Sequence, residues 1–295
     1  MADPSLFERV PPALRAMVPA RFRGDIPTVP VVRLAGVIGV SSPLKPGLTL
    51  ANVARSLDRA FSMRHIRAVA LSINSPGGAA VQSHLIHRRI RTLADEKKVP
   101  VLAFVEDVAA SGGYMIACAA DEIIADESSI VGSIGVVGGS FGFDKLIEKI
   151  GIERRLYTSG ENKAMLDPFL PEKPGDVEKL KALQREIHES FIALVKARRG
   201  AKLDSRESAL FTGEYWTGQR SRELGLVDAM GDLRSVLRER FGDKVRTPLV
   251  ADRGFLGRRV PGVGGSLEQL WNGTSLADDM VATLEARALW SRYGL

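Results

Sequence analysis

The chain has 295 residues, 45% of them hydrophobic and 26% charged, with a net charge of +6; this is ordinary globular composition, and the length suits one large α/β domain or two small ones. No run approaches the ~18 consecutive apolar residues of a membrane span, and the start, punctuated by Pro4, Pro11, Pro12 and Pro19, has no apolar signal core. Cys118 is the single cysteine, which excludes an intrachain disulfide and points to a small core residue in a reducing, cytoplasmic setting.

In chain order, residues 1–28 read as an irregular N-terminal arm, because the prolines break any long helix. Val31–Val40 is predicted as a buried strand, Ala51–Arg64 as a helix, and Ala68–Asn74 as a strand ending at Ser75-Pro76-Gly77-Gly78. A basic helix over Gln82–Lys97, a strand over Val101–Val105, a short apolar helix over Gly112–Ala119 and a strand over Glu122–Ala125 follow. Strands alternating with helices predict a mainly parallel α/β sheet. The clearest helix is Val177–Arg199: Val177, Leu180, Leu183, Ile187, Phe191, Leu194 and Val195 recur at helical spacing, and Gly200 closes it. After a glycine-rich stretch, Leu276–Leu295 reads as a second amphipathic helix. The domain expectation is an arm (1–28), one main domain (29–250), and a C-terminal loop and amphipathic helix (251–295). Between Arg234 and Arg259 eight basic residues stand against three acidic ones; without interleaved aromatics or a nucleic-acid motif this reads as a solvated basic face, and no nucleic-acid partner is expected.

Hydrolytic chemistry needs a nucleophile, a base and donors aimed at the developing oxyanion. Ser111 stands at a strand-to-helix junction, followed by Gly112 and Gly113, beside unpaired amides and the positive end of a helix dipole. Taken alone it reads rather as a helix N-cap. Ser75–Gly78 is a second glycine turn at a strand end, where parallel sheets place their sites, and the N–H groups of Gly78 and Gly112 could form an oxyanion hole; on its own it is a turn. The histidines (His65, His84, His87, His188) read as surface residues, and His84 and His87 lack a third ligand, so no metal or other cofactor is expected. A lysine can be the base if burial lowers its pKa from about 10.4 towards 7–8, and Lys163, after the loop from Ser159 to Asn162 and before apolar Ala164 and Met165, is the suggestive one. Gly138-Gly139-Ser140-Phe141-Gly142 matches the nucleophile-elbow pattern after a plausible strand, but the only histidine downstream, His188, lies mid-helix.

Together these segments resemble the signal peptide peptidase A family of serine/lysine peptidases, in the Clp protease and crotonase superfamily. The resemblance covers residues 30–235 and five motifs in order: Ile73–Gly78, Ala110–Tyr114, Gly132–Val136, Ser159–Lys163, and Trp216–Gly218 with Glu223–Asp228. It implies a Clp/crotonase-like fold, a mainly parallel sheet with helical extensions. It further implies Ser111 as nucleophile, Lys163 as general base, Ser133 bonded to the lysine amine, and Gly78 and Gly112 as oxyanion donors, with the last motif structural. The implied function is a serine endopeptidase acting on extended or unfolded peptides, signal peptides among the candidates. The implied assembly is a homo-oligomeric ring, with an octamer as one size, in which Lys163 can serve the Ser111 of a neighbour. Many members carry an N-terminal membrane anchor; the expectation for this chain is a cytoplasmic short form, with peripheral contact to a membrane surface as the other option. The alternatives are a crotonase-type acyl-thioester enzyme and a non-catalytic scaffold that binds peptides or membranes.

Overall fold

The computed structural model describes residues 26–39, 47–204, 208–251, 283–284 and 286–295. The expected arm up to residue 25, the whole glycine-rich stretch 254–266, and residues 276–282 and 285 of the expected tail helix lie outside them.

Seven strands form one sheet: β1 (Val31–Ala35), β2 (Val69–Ser75), β3 (Val101–Ala110), β4 (Glu122–Ala125), β5 (Ile130–Gly132), β6 (Tyr215–Thr217) and β7 (Ala229–Met230). The order is β1-β2-β3-β4-β7, all parallel, with β5 parallel to the far half of β3 and β6 antiparallel to β5. The mainly parallel α/β architecture is therefore as expected. The helices are α1 (Leu50–Phe61), α2 (Ala80–Lys97), α3 (Gly112–Ala117), α4 (Asp144–Lys149), α5 (Pro174–Arg199), α6 (Gly218–Glu223) and α7 (Leu233–Phe241).

The central strands are apolar at consecutive positions because both faces are covered. Val69, Leu71 and Ile73 of β2, with Val101, Ala103 and Val105 of β3, join the larger core under α1, α2 and α3; Ala70, Leu102 and Phe104 point the other way, onto Val236 and Leu237 of α7. Thr49 caps α1 by accepting from Asn52 N, and Asp232 caps α7 by accepting from Arg234 N and Ser235 N.

β3 runs five residues past its expected end. Glu106 and Asp107 interrupt the apolar run, yet the strand continues through a register shift between Ile73/Val105 and Ser75/Ala109. Glu106 accepts from Ser72 Oγ (2.5 Å) and Arg33 Nη2 (2.9 Å), and Asp107 from Asn74 Nδ2 (2.5 Å). The acidic pair is thus satisfied at the sheet surface, and the longer strand delivers residue 111.

Helix α5 is covered at one end only. Of its 26 residues, Phe191, Val195 and Arg199 are buried, whereas Leu183 and Ile187 of the same apolar stripe stay exposed. The segment before it is also uncovered: Val137, Phe141, Ile150, Ile152 and Tyr157 are all exposed, Tyr157 by 90%.

Cys118 is buried, and burial pushes its thiol up to about 12, as suits an inert core residue. The basic face is partly paired: Arg238 with Asp243, and Arg240 with both oxygens of Glu122. One histidine reading is corrected. His87 is buried, not at the surface, and neither ring nitrogen has a hydrogen-bond partner among the described residues. It lies on the α2 face turned inward with Ile86 and Ile90; the arginines around it hid that face in the sequence. Burial first, then the charges of Arg198, His84 and Arg91, lower its pKa to about 4. Because the unfolded chain protonates this ring near pH 6.5 and the folded one does not, its contribution is complete above about 6.5 and disappears as the pH falls towards 4, a loss of up to roughly 3 kcal/mol. Urea midpoints at pH 7 and pH 4.5 should therefore fall more for wild type than for His87→Leu; equal falls would contradict the buried neutral ring.

Candidate active site

Two neighbouring parallel strands end side by side and supply the site. β2 ends in the Ser75–Gly78 turn and β3 ends at Ser111, placing both at the C-terminal edge of the sheet. The Ser75–Gly78 turn is held by residues 36–38: Ser75 Oγ donates to Gly36 O (2.7 Å), Ile38 N to Gly77 O (2.8 Å) and Ala79 N to Ile38 O (2.8 Å). The pieces interlock. A methyl group on Gly77 would lie 2.8 Å from Ser111 Cβ and 3.0 Å from Gly112 N, at φ +102°, so only glycine fits.

Ser111 has φ 52° and ψ −121°. A non-glycine residue held there is strained, and such strain concentrates at functional sites. Its hydroxyl makes no hydrogen bond to the start of α3, so the side chain does not cap that helix. Its backbone is pinned instead, with Ser111 N donating to Gly132 O (2.8 Å) and Met115 N to Ser111 O (3.0 Å).

Ser111, Gly78, Gly112 and Ser133 line one cavity of about 450 Å³. The amides of Gly78 and Gly112 have no acceptor among the described residues, as two donors reserved for an oxyanion would. Ser133 is the second strained serine, at φ 54°, pinned by its N–H to Glu214 O (2.6 Å). Met115, Val136, Ile187 and Phe191 make the rest of the lining largely apolar.

The glycines after Ser111 are required by packing. A side chain on Gly112 would collide with Ser83 Oγ, and one on Gly113 would come within 2.5 Å of Ser75 O. They let α3 pack on α2 and β2. Lys163 is the site residue that this chain does not bring in: it is exposed, on a turn closed by its own N–H to Gly160 O (3.2 Å), and is not part of the cavity wall. Ser140 is exposed, and no strand leads directly into it, since β5 ends at Gly132, so the elbow pattern is coincidental. Among the described residues no group of three or more His, Cys, Asp or Glu could hold a metal.

Sequence reasoning missed two residues that border Ser133 without a part in the chemistry. His188 bonds the Ile134 carbonyl (3.0 Å) next to Ser133; its spacing of three and four residues from Phe191 and Gln184 on α5 was the available signal. Tyr293 lines the cavity, with its hydroxyl 3.3 Å from Ser133 Oγ, and nothing local in the sequence marks it.

The profile of peptidase family S49 matches residues 94–243. The chain belongs to peptidase family S49. The matched part of this S49 chain holds Ser111, Gly112, Ser133 and Lys163; Gly78 lies just before it. A Synechocystis sp. protein named a protease is 31% identical over 72% of this chain and 78% of its own length. The chloroplastic serine protease SPPA of Arabidopsis thaliana is 34% identical over 70% of this chain and 31% of its own. A Brucella abortus protein named Na(+)/H(+) antiporter NhaA is 55% identical over 99% of this chain, which spans only 40% of that protein. The S49 chain thus covers well under two thirds of the latter two relatives. Its Trp216–Asp228 motif is structural: Asp228 accepts from Ile123 N, Arg199 and Lys202.

Proposed function

We propose that the chain is a serine endopeptidase that hydrolyses extended or unfolded peptides through an acyl-enzyme on Ser111. The observation that carries this reading is the strained Ser111, its hydroxyl uncapped, in a cavity beside the free amides of Gly78 and Gly112. In the first step Ser111 Oγ attacks the scissile carbonyl carbon and gives its proton to a neutral lysine amine, while the oxygen, now negative, accepts from the two amides, each worth about 3 kcal/mol. The tetrahedral carbon then expels the leaving amine, which takes the proton from the lysine. Water, deprotonated by the same amine, releases the acid and restores the serine.

Lys163 of a neighbouring protomer is the base in this reading. In one chain it is exposed and outside the cavity wall, so the burial that would neutralise it has to come from assembly. The uncovered apolar side chains of residues 137–157 and of the first half of α5 supply the surface that a second copy would cover, which supports the homo-oligomeric ring. Substrate would lie along the Pro76–Gly78 turn in strand-like pairing, with its side chains against the apolar lining; signal peptides are one class that fits. No helix of the described residues is long and apolar enough to cross a membrane, and we place the chain in the cytoplasm, with contact to a membrane surface as a further proposal. The antiport named for the Brucella protein is not carried over, since the matched profile is that of a peptidase.

Turnover of unstructured fluorogenic peptides, with parallel labelling of Ser111 by a fluorophosphonate, tests the reading. Both are expected. Labelling at no site, with acyl-thioester turnover instead, would favour the crotonase-type alternative.

A further inference from the structure

Residues 286–291 are helical, and the turn that follows enters the cavity that holds Ser111. Leu289, Arg292 and Tyr293 form part of its wall. The Tyr293 hydroxyl lies 3.3 Å from Ser133 Oγ and 3.5 Å from Pro76 O. Two contacts with β6 fasten the segment: Tyr215 Oη donates to Arg292 O (3.0 Å), and the Tyr215 and Tyr293 rings meet edge to face at 5.0 Å. The segment is therefore seated on both walls of the cavity.

Both points that Tyr293 touches matter for catalysis. Ser133 Oγ is the atom that would bond the incoming lysine amine, and Pro76 begins the turn along which a substrate backbone would pair. The Tyr293 hydroxyl thus sits at the hydrogen-bonding positions that both partners would use.

We infer that segment 286–295 is an intramolecular plug of the substrate cavity, so that substrate and the neighbour's lysine engage only after it leaves. The inference rests on the peptidase reading for the identity of the cavity, and it adds that the free chain is latent. A plug of this kind lowers apparent affinity by the fraction of chains that are open, without changing the chemical step once the cavity is open. Weakening it should lower KM and leave kcat unaltered.

The test uses the full chain as wild type, Tyr293→Ala and Tyr293→Phe, the last removing only the hydroxyl. A fluorescein-labelled peptide of residues 286–295 is titrated into each and followed by anisotropy, alongside fluorogenic-peptide kinetics. Tyr293→Ala should bind the labelled peptide about tenfold more tightly than wild type, with Tyr293→Phe between them, and its KM should fall by a similar factor at constant kcat. Equal peptide binding by all three chains would overturn the plug, even if they all cleave peptides. Tighter binding by Tyr293→Ala without any turnover would uphold the plug and instead remove the peptidase reading.

Discussion

Ser111→Ala and Lys163→Ala are each expected to lower peptide turnover by roughly 10⁴-fold or more, because members of a nucleophile–base pair act as a unit and losing either one forfeits most of the catalysis. The structure explains why Ser111 should be so sensitive. Its backbone is fixed on both sides, by Ser111 N to Gly132 O and Met115 N to Ser111 O, and its hydroxyl has no structural duty. The alanine variant should consequently fold and melt like wild type while failing to react with the phosphonate. Lys163 is exposed, so its variant should also fold normally. Substantial cleavage by Ser111→Ala would move the chemistry elsewhere.

The largest expected loss of stability is at Asp228, outside the cavity. Arg199 is 3% exposed and has its charge met by Asp228 Oδ2 (2.6 Å), while its Nη2 and Nε donate to Gly225 O (2.7 and 3.1 Å). The same carboxylate accepts from Ile123 N (2.8 Å) and Lys202 Nζ (2.6 Å), so it ties α5, β4 and the 225–228 loop together. Burial alone would raise the Asp228 pKa, but hydrogen bonds from Arg199, Lys202 and Ile123 outweigh it and hold the carboxyl below its ordinary value. Its contribution is present above the unfolded-state pKa and is lost as the pH drops through the folded one. Asp228→Ala leaves a guanidinium buried without a counter-charge, which costs about 3–5 kcal/mol, or roughly 10 °C in Tm for a domain of this size. Asp228→Asn, which can keep the bond from Ile123 N, should lose less. A loss below about 1 kcal/mol for the alanine variant would mean that water screens the pair.

The parts of the fold that were legible in the sequence are those with a long period or a long apolar run. β4 matches its predicted bounds, and α1, α2 and α5 fall within a few residues of theirs. β5, β6 and β7 have three residues or fewer, too short for any periodicity to register, and α6 and α7 are themselves short and rich in charge. The end of β3 was misplaced because Glu106 and Asp107 look like a loop until their partners on β1 and β2 are known. At the site, residue types were readable and distances were not. The Ser-Gly-Gly and Pro-Gly-Gly turns announced a crowded strand edge, yet whether Ser111 capped a helix or faced a cavity depended on its backbone angles. His87 was misread because a helix dense with arginine still turns one face inward. Tyr293 lies far along the chain from the residues that it touches, and no local pattern could reveal the contact.

The central claim is that the nucleophile and its base come from different copies of the chain. Ser111→Ala and Lys163→Ala, each inactive alone, are to be mixed in equal amounts under conditions that allow protomers to exchange, and peptide turnover measured. Random assembly should restore about one quarter of wild-type activity, since that share of sites pairs an intact serine with an intact neighbouring lysine. Turnover that stays at background, although both variants are shown to co-assemble, would contradict the claim.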